Sequence, residues 1–186
     1  MHHYIDIHLR PDPEFPPHQL MAALYSKLHR ALVQLKVSTI GVSFPGYSEM
    51  PPTLGSTLRL FGPEADLNRL MQQDWLKGMR DHADVCLAAM VPADAGHRAL
   101  RRVQAKSNPE RLRRRQMRRH GLTQEQAREL VPDSAAEKLI LPFVQLGSAS
   151  TGQVFRLYLH MGLPESGSPG SFNAFGLSAS ATIPWF

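Results

Sequence analysis

The segment Tyr4-Ile5-Asp6-Ile7-His8-Leu9 alternates apolar and polar residues, so it reads as a strand with Ile5, Ile7 and Leu9 on one face. The turn-rich PDPEFPP follows, and Pro17 suits the first turn of a helix, where a missing N–H costs nothing. Leu20, Met21, Leu24, Leu28, Ala31, Leu32 and Leu35 then recur at helical spacing. Ser38–Phe44 and Thr57–Phe61 read as strands, with Leu58 and Leu60 opposed to Arg59 and Phe61. Glu64 to about Met79 reads as a second helix carrying Leu67, Leu70, Met71 and Trp75, and Val85–Val91 as a nearly all-apolar fourth strand. Few architectures accommodate strand, helix, strand, strand, helix, strand within about ninety residues.

That order is the split βαβ arrangement, an antiparallel sheet with two helices on one face. The expected class is therefore α+β. A ferredoxin-like (RRM-like) domain spans residues 1–94, and Pro92–Gly96 is the linker. Residues 95–186 form a smaller α+β domain with an arginine-rich helix. In that part Leu100–Ala105 reads as extended, while Leu141–Leu146 and Val154–His160 read as paired strands around the polar turn GSASTGQ. TIPWF is a final apolar strand. RNA-binding modules share the first fold, but a fold alone does not establish function.

The charge is concentrated. Arg98–His120 holds nine arginines and Lys106 against Glu110, a net +9 in a chain of +5. A self-repelling cluster of this kind implies a polyanionic partner. Ser107-Asn108-Pro109-Glu110 has the S-x-x-E form of a capping box, so a helix starts there. At 100° per residue, Arg111, Arg114, Arg115, Arg118 and Arg119 fall within an arc of about 140°, and Arg113 points elsewhere. No acid lies between Arg111 and His120, whereas a merely solvated helix mixes signs at i,i+4. The arc matches a nucleic-acid groove. Because the major groove of long A-form RNA is deep and narrow, it favours a short hairpin. Gly121 suits the position after the helix, and Thr123 with Gln126 forms a second capping box for a helix ending near Pro132.

Other classes are excluded. The single cysteine, Cys86, removes disulfide frameworks and two-cysteine zinc sites and fits a reducing cytoplasm. No run of about 18 apolar residues is present for a membrane span, and the N-terminus lacks the layout of a signal peptide. His2, His3 and His8 come without a partnered carboxylate pattern, and neither HExxH nor a phosphate-binding glycine loop occurs. No metal or other cofactor is expected.

RVQAKSNPERLRRRQMRRH, the opening HYIDIHLRPDPEFPPHQLM, KLHRAL, SASTGQVFRLY and the terminal FGLS…PWF together resemble the type I-F CRISPR-RNA processing endoribonucleases, in order and spacing over nearly the whole chain. The resemblance implies binding of the CRISPR repeat stem-loop and cleavage at its 3′ base. It also implies retention of the product hairpin, one protein per hairpin, and membership of a type I-F surveillance complex. His29 matches the family's catalytic histidine and Ser148 the serine that holds the ribose of the attacking nucleotide. Arg102 and Gln104 match residues reading bases beside the cleavage site. Arg115 and Arg119 match major-groove arginines, with Arg114 and Arg118 nearer the phosphates. Phe155 matches the aromatic stacked on the closing base pair, and Ser150 and Thr151 lie in the active-site loop. Ser107, Arg111 and His120 complete the candidate RNA contacts of the basic block. Phe175 stands where the family's active site carries a tyrosine, so the ring is kept and the hydroxyl lost.

The residues themselves suit such chemistry. RNA brings its own nucleophile, the 2′-OH, so a metal-free nuclease needs a base, alignment and a protonated leaving group. Histidine titrates near neutrality. His29 lies about 60° beyond the first helix's apolar arc, with Tyr25 between, so it belongs at the core boundary. Arg102 and Gln104, two apart on a presumed strand, share a face and suit guanine and adenine respectively. A serine beside Gly147 ordinarily makes loop hydrogen bonds, and holding a ribose hydroxyl is the same act. Two alternatives stand beside this reading: a hairpin-binding subunit with weak or no cleavage, for which Phe175 speaks, and a basic DNA-binding regulator, which leaves His29 without a role.

Overall fold

The computed structural model describes residues 1–105, 109–133, 138–147 and 152–186. Contacts group the chain into two compact units, Met1–Arg102 with Leu141–Phe186, and Val103–Ile140. Along the first unit run β1 (His3–Leu9), α1 (Pro17–Leu35), β2 (Gly41–Ser43), β3 (Ser48–Glu49), β4 (Pro52–Thr53), β5 (Thr57–Gly62), α2 (Glu64–Met71), β6 (Ala83–Val85), β7 (Ala89–Met90), β8 (Gly96–Arg98) and β9 (Leu100–Val103). The second unit carries α3 (Pro109–His120) and α4 (Gln124–Leu130). The chain then returns to the first unit as β10 (Phe143–Gly147), β11 (Val154–Met161) and β12 (Ile183–Trp185).

The class is mixed α and β with antiparallel sheets. The main sheet has the order β2-β5-β1-β6, with β7 also on β1. Its register follows the alternation: Ile5 lies opposite Leu60 and Ile7 opposite Leu58, so one face is continuously apolar. On the other face Asp6 meets Arg59 at 2.7 and 2.8 Å, and the guanidinium also lies over the rings of Tyr4 and Phe186. Among the described residues three smaller sheets, β10-β11-β9, β12-β8 and β3-β4, accompany it.

Helix α1 is the hub. It starts at Pro17 with extended Pro16 as its N-cap and ends where Lys36 turns left-handed at φ 54°. It packs on β1 and α2 and also on β10, so it is covered from more than one side. Leu24 and Leu28 are wholly buried, each worth about 1.5–3 kcal/mol of transfer free energy. Truncating Leu28 to alanine would cost about 2–5 kcal/mol.

Two expected elements differ. The second helix stops at Met71, because Gln73 is extended at φ −79°, ψ 146°. The apolar pattern continues as a 3₁₀ turn, Asp74–Leu76, which buries Trp75. The expected strand Val85–Val91 divides into β6 and β7. Val85 faces Ile7 and Ala89 faces Tyr4, so the edge strand carries one residue more than β1 across that span. This bulge leaves Leu87 91% exposed. The apolar run lies at the sheet edge, where Val85, Leu87 and Met90 stay exposed, rather than in a central strand.

Candidate active site and arginine helix

In the first unit Tyr25 and His29 are i and i+4 on α1, so both side chains leave the same face one turn apart. They meet one loop, residues 173–177. The Tyr25 hydroxyl donates to the Phe175 carbonyl at 2.6 Å, and His29 Nδ1 lies 2.8 Å from the Ala174 carbonyl. The rings of His29 and Phe175 stack with centroids 3.9 Å apart and planes 2° from parallel.

The loop is tightly closed. Asn173 donates its N–H to the Leu177 carbonyl at 2.9 Å, and Gly176 donates to the Asn173 carbonyl at 2.8 Å. Gly176 has φ +68°, and a Cβ there would fall 2.5 Å from Val42 Cγ1, so both backbone and space require glycine. Its carbonyl accepts from the Val42 N–H at 3.0 Å, which ties the loop to β2.

A carbonyl oxygen only accepts, so His29 Nδ1 must carry the hydrogen. In the neutral ring the lone pair then sits on Nε2, free to take a proton. The half-buried imidazole has one face covered by Phe175 and its orientation fixed by Ala174. Burial pushes the Tyr25 phenol far above its ordinary range, so Tyr25 stays protonated and remains a donor.

Elsewhere in the first unit, the Arg102 guanidinium lies 5.8 Å from the ring centroid of half-buried Phe155, at cation–π range. Phe155 pairs with Leu146 across β10 and β11. Arg102 is exposed on β9, but the strand ends at Val103, so exposed Gln104 lies one residue past it. The strand expected to carry both residues therefore holds Arg102 and ends one residue before Gln104.

In the second unit, α3 buries no residue, and Arg111, Arg114, Arg115, Arg118, Arg119 and His120 are all exposed. Arg113 differs from them, as the helical wheel requires. It donates from Nε to the Val131 carbonyl at 2.8 Å and from Nη2 to Asp133 at 2.6 Å, fastening α3 to the end of α4. Gly121 closes α3 at φ +63°. Thr123 and Gln126 form the reciprocal capping box of α4 at 3.3 and 3.0 Å.

The family model described as "CRISPR-associated protein (Cas_Csy4)" matches residues 4–186. The chain belongs to the Cas_Csy4 family. It is 52% identical over 187 residues, covering 100% of both chains, to the CRISPR-associated endonuclease Cas6/Csy4 of Pseudomonas aeruginosa (strain UCBPP-PA14). It is 44% identical, again over 100% of both chains, to the protein of the same name from Escherichia coli (strain UTI89 / UPEC).

For this Cas_Csy4 chain, the structure brings His29 together with Phe175, and Arg102 together with Phe155. Ser107, Ser148, Ser150 and Thr151 lie outside the described residues. Sequence reasoning singled out neither Tyr25 nor Asn173 as a site residue. For Tyr25 the available signal was its place one turn before His29. For Asn173 it was an asparagine three residues before a glycine, a common loop-closing pair.

Proposed function

We propose that this chain is a metal-independent endoribonuclease that cuts CRISPR repeat RNA at the 3′ base of its stem-loop. The observation carrying the reading is the bond from His29 Nδ1 to the Ala174 carbonyl, which leaves Nε2 as a preset base. His29 Nε2 takes the proton of the ribose 2′-OH, and the oxygen attacks the adjacent phosphorus. The bond to the 5′-oxygen breaks, and that oxygen takes up a proton. The products are a 2′,3′-cyclic phosphate and a 5′-OH. Because the nucleophile belongs to the substrate, no step calls on a metal.

Ser148 holds the ribose of the attacking nucleotide, with Ser150 and Thr151 in the same loop. Phe175 supplies the ring against which His29 rests. Exposed Arg111, Arg114, Arg115, Arg118 and Arg119, with Ser107 and His120, grip the stem, and the forked guanidinium suits both guanine edges and phosphates. Arg102 and Gln104 read bases near the scissile bond, and Phe155 stacks on the closing pair, worth about 1–3 kcal/mol. Residues 1–94 form a ferredoxin-like domain, a reading supported by the strand order β2-β5-β1-β6.

The names of both relatives support the reaction class. Retention of the product hairpin by the arginines makes the enzyme a lasting, cytoplasmic subunit of a type I-F surveillance complex, one copy per hairpin. Incubation with repeat RNA in EDTA, beside His29→Ala and an RNA 2′-deoxy at the cleavage site, tests the proposal. Cleavage is expected only from wild type on the ribo substrate, with tight binding throughout. Cleavage that survives His29→Ala refutes the mechanism.

A further inference from the structure

We infer that Asn173 is a positioning residue for His29, acting through the peptide group that joins Ala174 to Phe175; this rests on the reading of His29 as the base. The carbonyl of that peptide accepts from His29 Nδ1 at 2.8 Å. Its N–H, which belongs to Phe175, donates to Asn173 Oδ1 at 2.8 Å. In a trans peptide the C=O and N–H point in opposite directions within one rigid plane. Asn173 and His29 therefore hold opposite ends of the same plane, and fixing one end aims the other. Hydrogen bonds in series also polarise one another, so an acceptor on the N–H strengthens the carbonyl as a partner for Nδ1.

The surroundings make Asn173 the anchor of this chain of bonds. Its Oδ1 also accepts from the Leu177 N–H at 3.3 Å, and its backbone bonds to Leu177 and Gly176 close the loop. From the helix side, the Tyr25 hydroxyl holds the next carbonyl, that of Phe175, at 2.6 Å. Two consecutive peptides are thus clamped, one by Asn173 and His29, the other by Tyr25.

The consequence is chemical as well as structural. A histidine side chain free in water favours the Nε2–H tautomer, whose in-plane lone pair sits on Nδ1, so it cannot act as a base at Nε2. The Ala174 carbonyl selects the other tautomer. Without Asn173 the peptide plane is released, the carbonyl swings from Nδ1, and His29 reverts towards the inactive tautomer. A side chain that merely stabilised the loop would lower the melting temperature and leave the tautomer untouched.

The test uses the full chain, uniformly ¹⁵N-labelled, as wild type, His29→Ala, Asn173→Ala and Asn173→Asp. Asp keeps the accepting oxygen. Long-range ¹H–¹⁵N spectra report the tautomer of neutral His29, and single-turnover cleavage and binding use a CRISPR repeat hairpin that the wild type cuts. Wild-type His29 is expected as Nδ1–H. Asn173→Ala is expected to slow cleavage at saturating RNA at least about tenfold, to keep affinity within about twofold, and to shift His29 towards Nε2–H. Asn173→Asp is expected to restore the rate to within about threefold of wild type. An Nε2–H tautomer in the wild type overturns the inference, as does Asn173→Ala with tautomer and rate unchanged. If Asn173→Ala does not fold, the wild-type tautomer and the Asn173→Asp rate decide between these outcomes. Cleavage by His29→Ala instead strikes the reading of the base, a separate failure.

Discussion

The imidazole of His29 lies flat on the ring of Phe175, 3.9 Å between centroids and 2° from parallel. The phenyl ring at position 175 thus supplies a full aromatic face to the imidazole. That contact restricts the imidazole to rotation within its own plane, and the Ala174 carbonyl then fixes the rotation.

Removing the ring should therefore matter more than adding a hydroxyl to it. An aromatic stack contributes about 0.5–1.5 kcal/mol, so Phe175→Ala is expected to slow single-turnover cleavage about threefold to tenfold. Phe175→Tyr keeps the stack and is expected to change the rate by less than about threefold. A much larger gain on Phe175→Tyr would show that the hydroxyl, not the ring, limits this enzyme and would favour the weakly cutting hairpin binder.

Within α3 the two kinds of arginine should separate cleanly. Arg113→Ala removes the bonds to Val131 and Asp133 and is expected to lower stability by about 1–3 kcal/mol, read by thermal melting. Arg115→Ala, on the exposed arc, is expected to leave the melt unchanged and to cost about 1–3 kcal/mol of RNA binding. Binding isotherms with the stem and with base-pair variants of it check the second, since a lost base contact also relaxes sequence specificity.

Local pattern carried much of this fold. The alternation of Tyr4–Leu9 and the spacing of Leu20 to Leu35 correspond to β1 and α1. The divergence of Arg113 from the other arginines followed from 100° per residue alone. The packing of residues 141–186 with the first hundred was not legible, because such contacts leave no local period. His29 and Ala174 are 145 residues apart, and nothing near either announces the other. The bulge between β6 and β7 was hidden for the opposite reason: Val85–Val91 looks like a buried strand by composition, and only pairing with β1 reveals an edge.

The Asp12 carboxylate should impose a pH dependence on folding at the start of α1. Hydrogen bonds from the backbone N–H groups of Phe15 and Glu14, then from His82, hold its pKa below the ordinary carboxylate range. A depressed folded-state pKa contributes stability that is complete above the unfolded value, about 3.9 for Asp, and is lost as pH falls through the folded value. The melting temperature of wild type should exceed that of Asp12→Ala at neutral pH, and the gap should close in strong acid. A gap that stayed constant down to pH about 2 would assign the contribution to packing rather than charge.

Across the main sheet, Asp6 and Arg59 form a two-bonded ion pair with each side chain 11% exposed. Removing one partner leaves the other charge buried without its counter-ion, so Asp6→Ala is expected to cost about 3–5 kcal/mol by denaturant unfolding. The guanidinium also donates to the Phe186 carbonyl at 3.0 Å and lies 4.1 Å from that ring's centroid, so Arg59 joins the strand pair to the last residue of the chain. Asp6→Ala with Arg59→Met removes both charges and should recover part of the loss. It should not recover all of it, because the contact with Phe186 goes as well. A double-mutant cycle reads the coupling directly, and a coupling near zero would show that the pair adds nothing beyond its separate contacts.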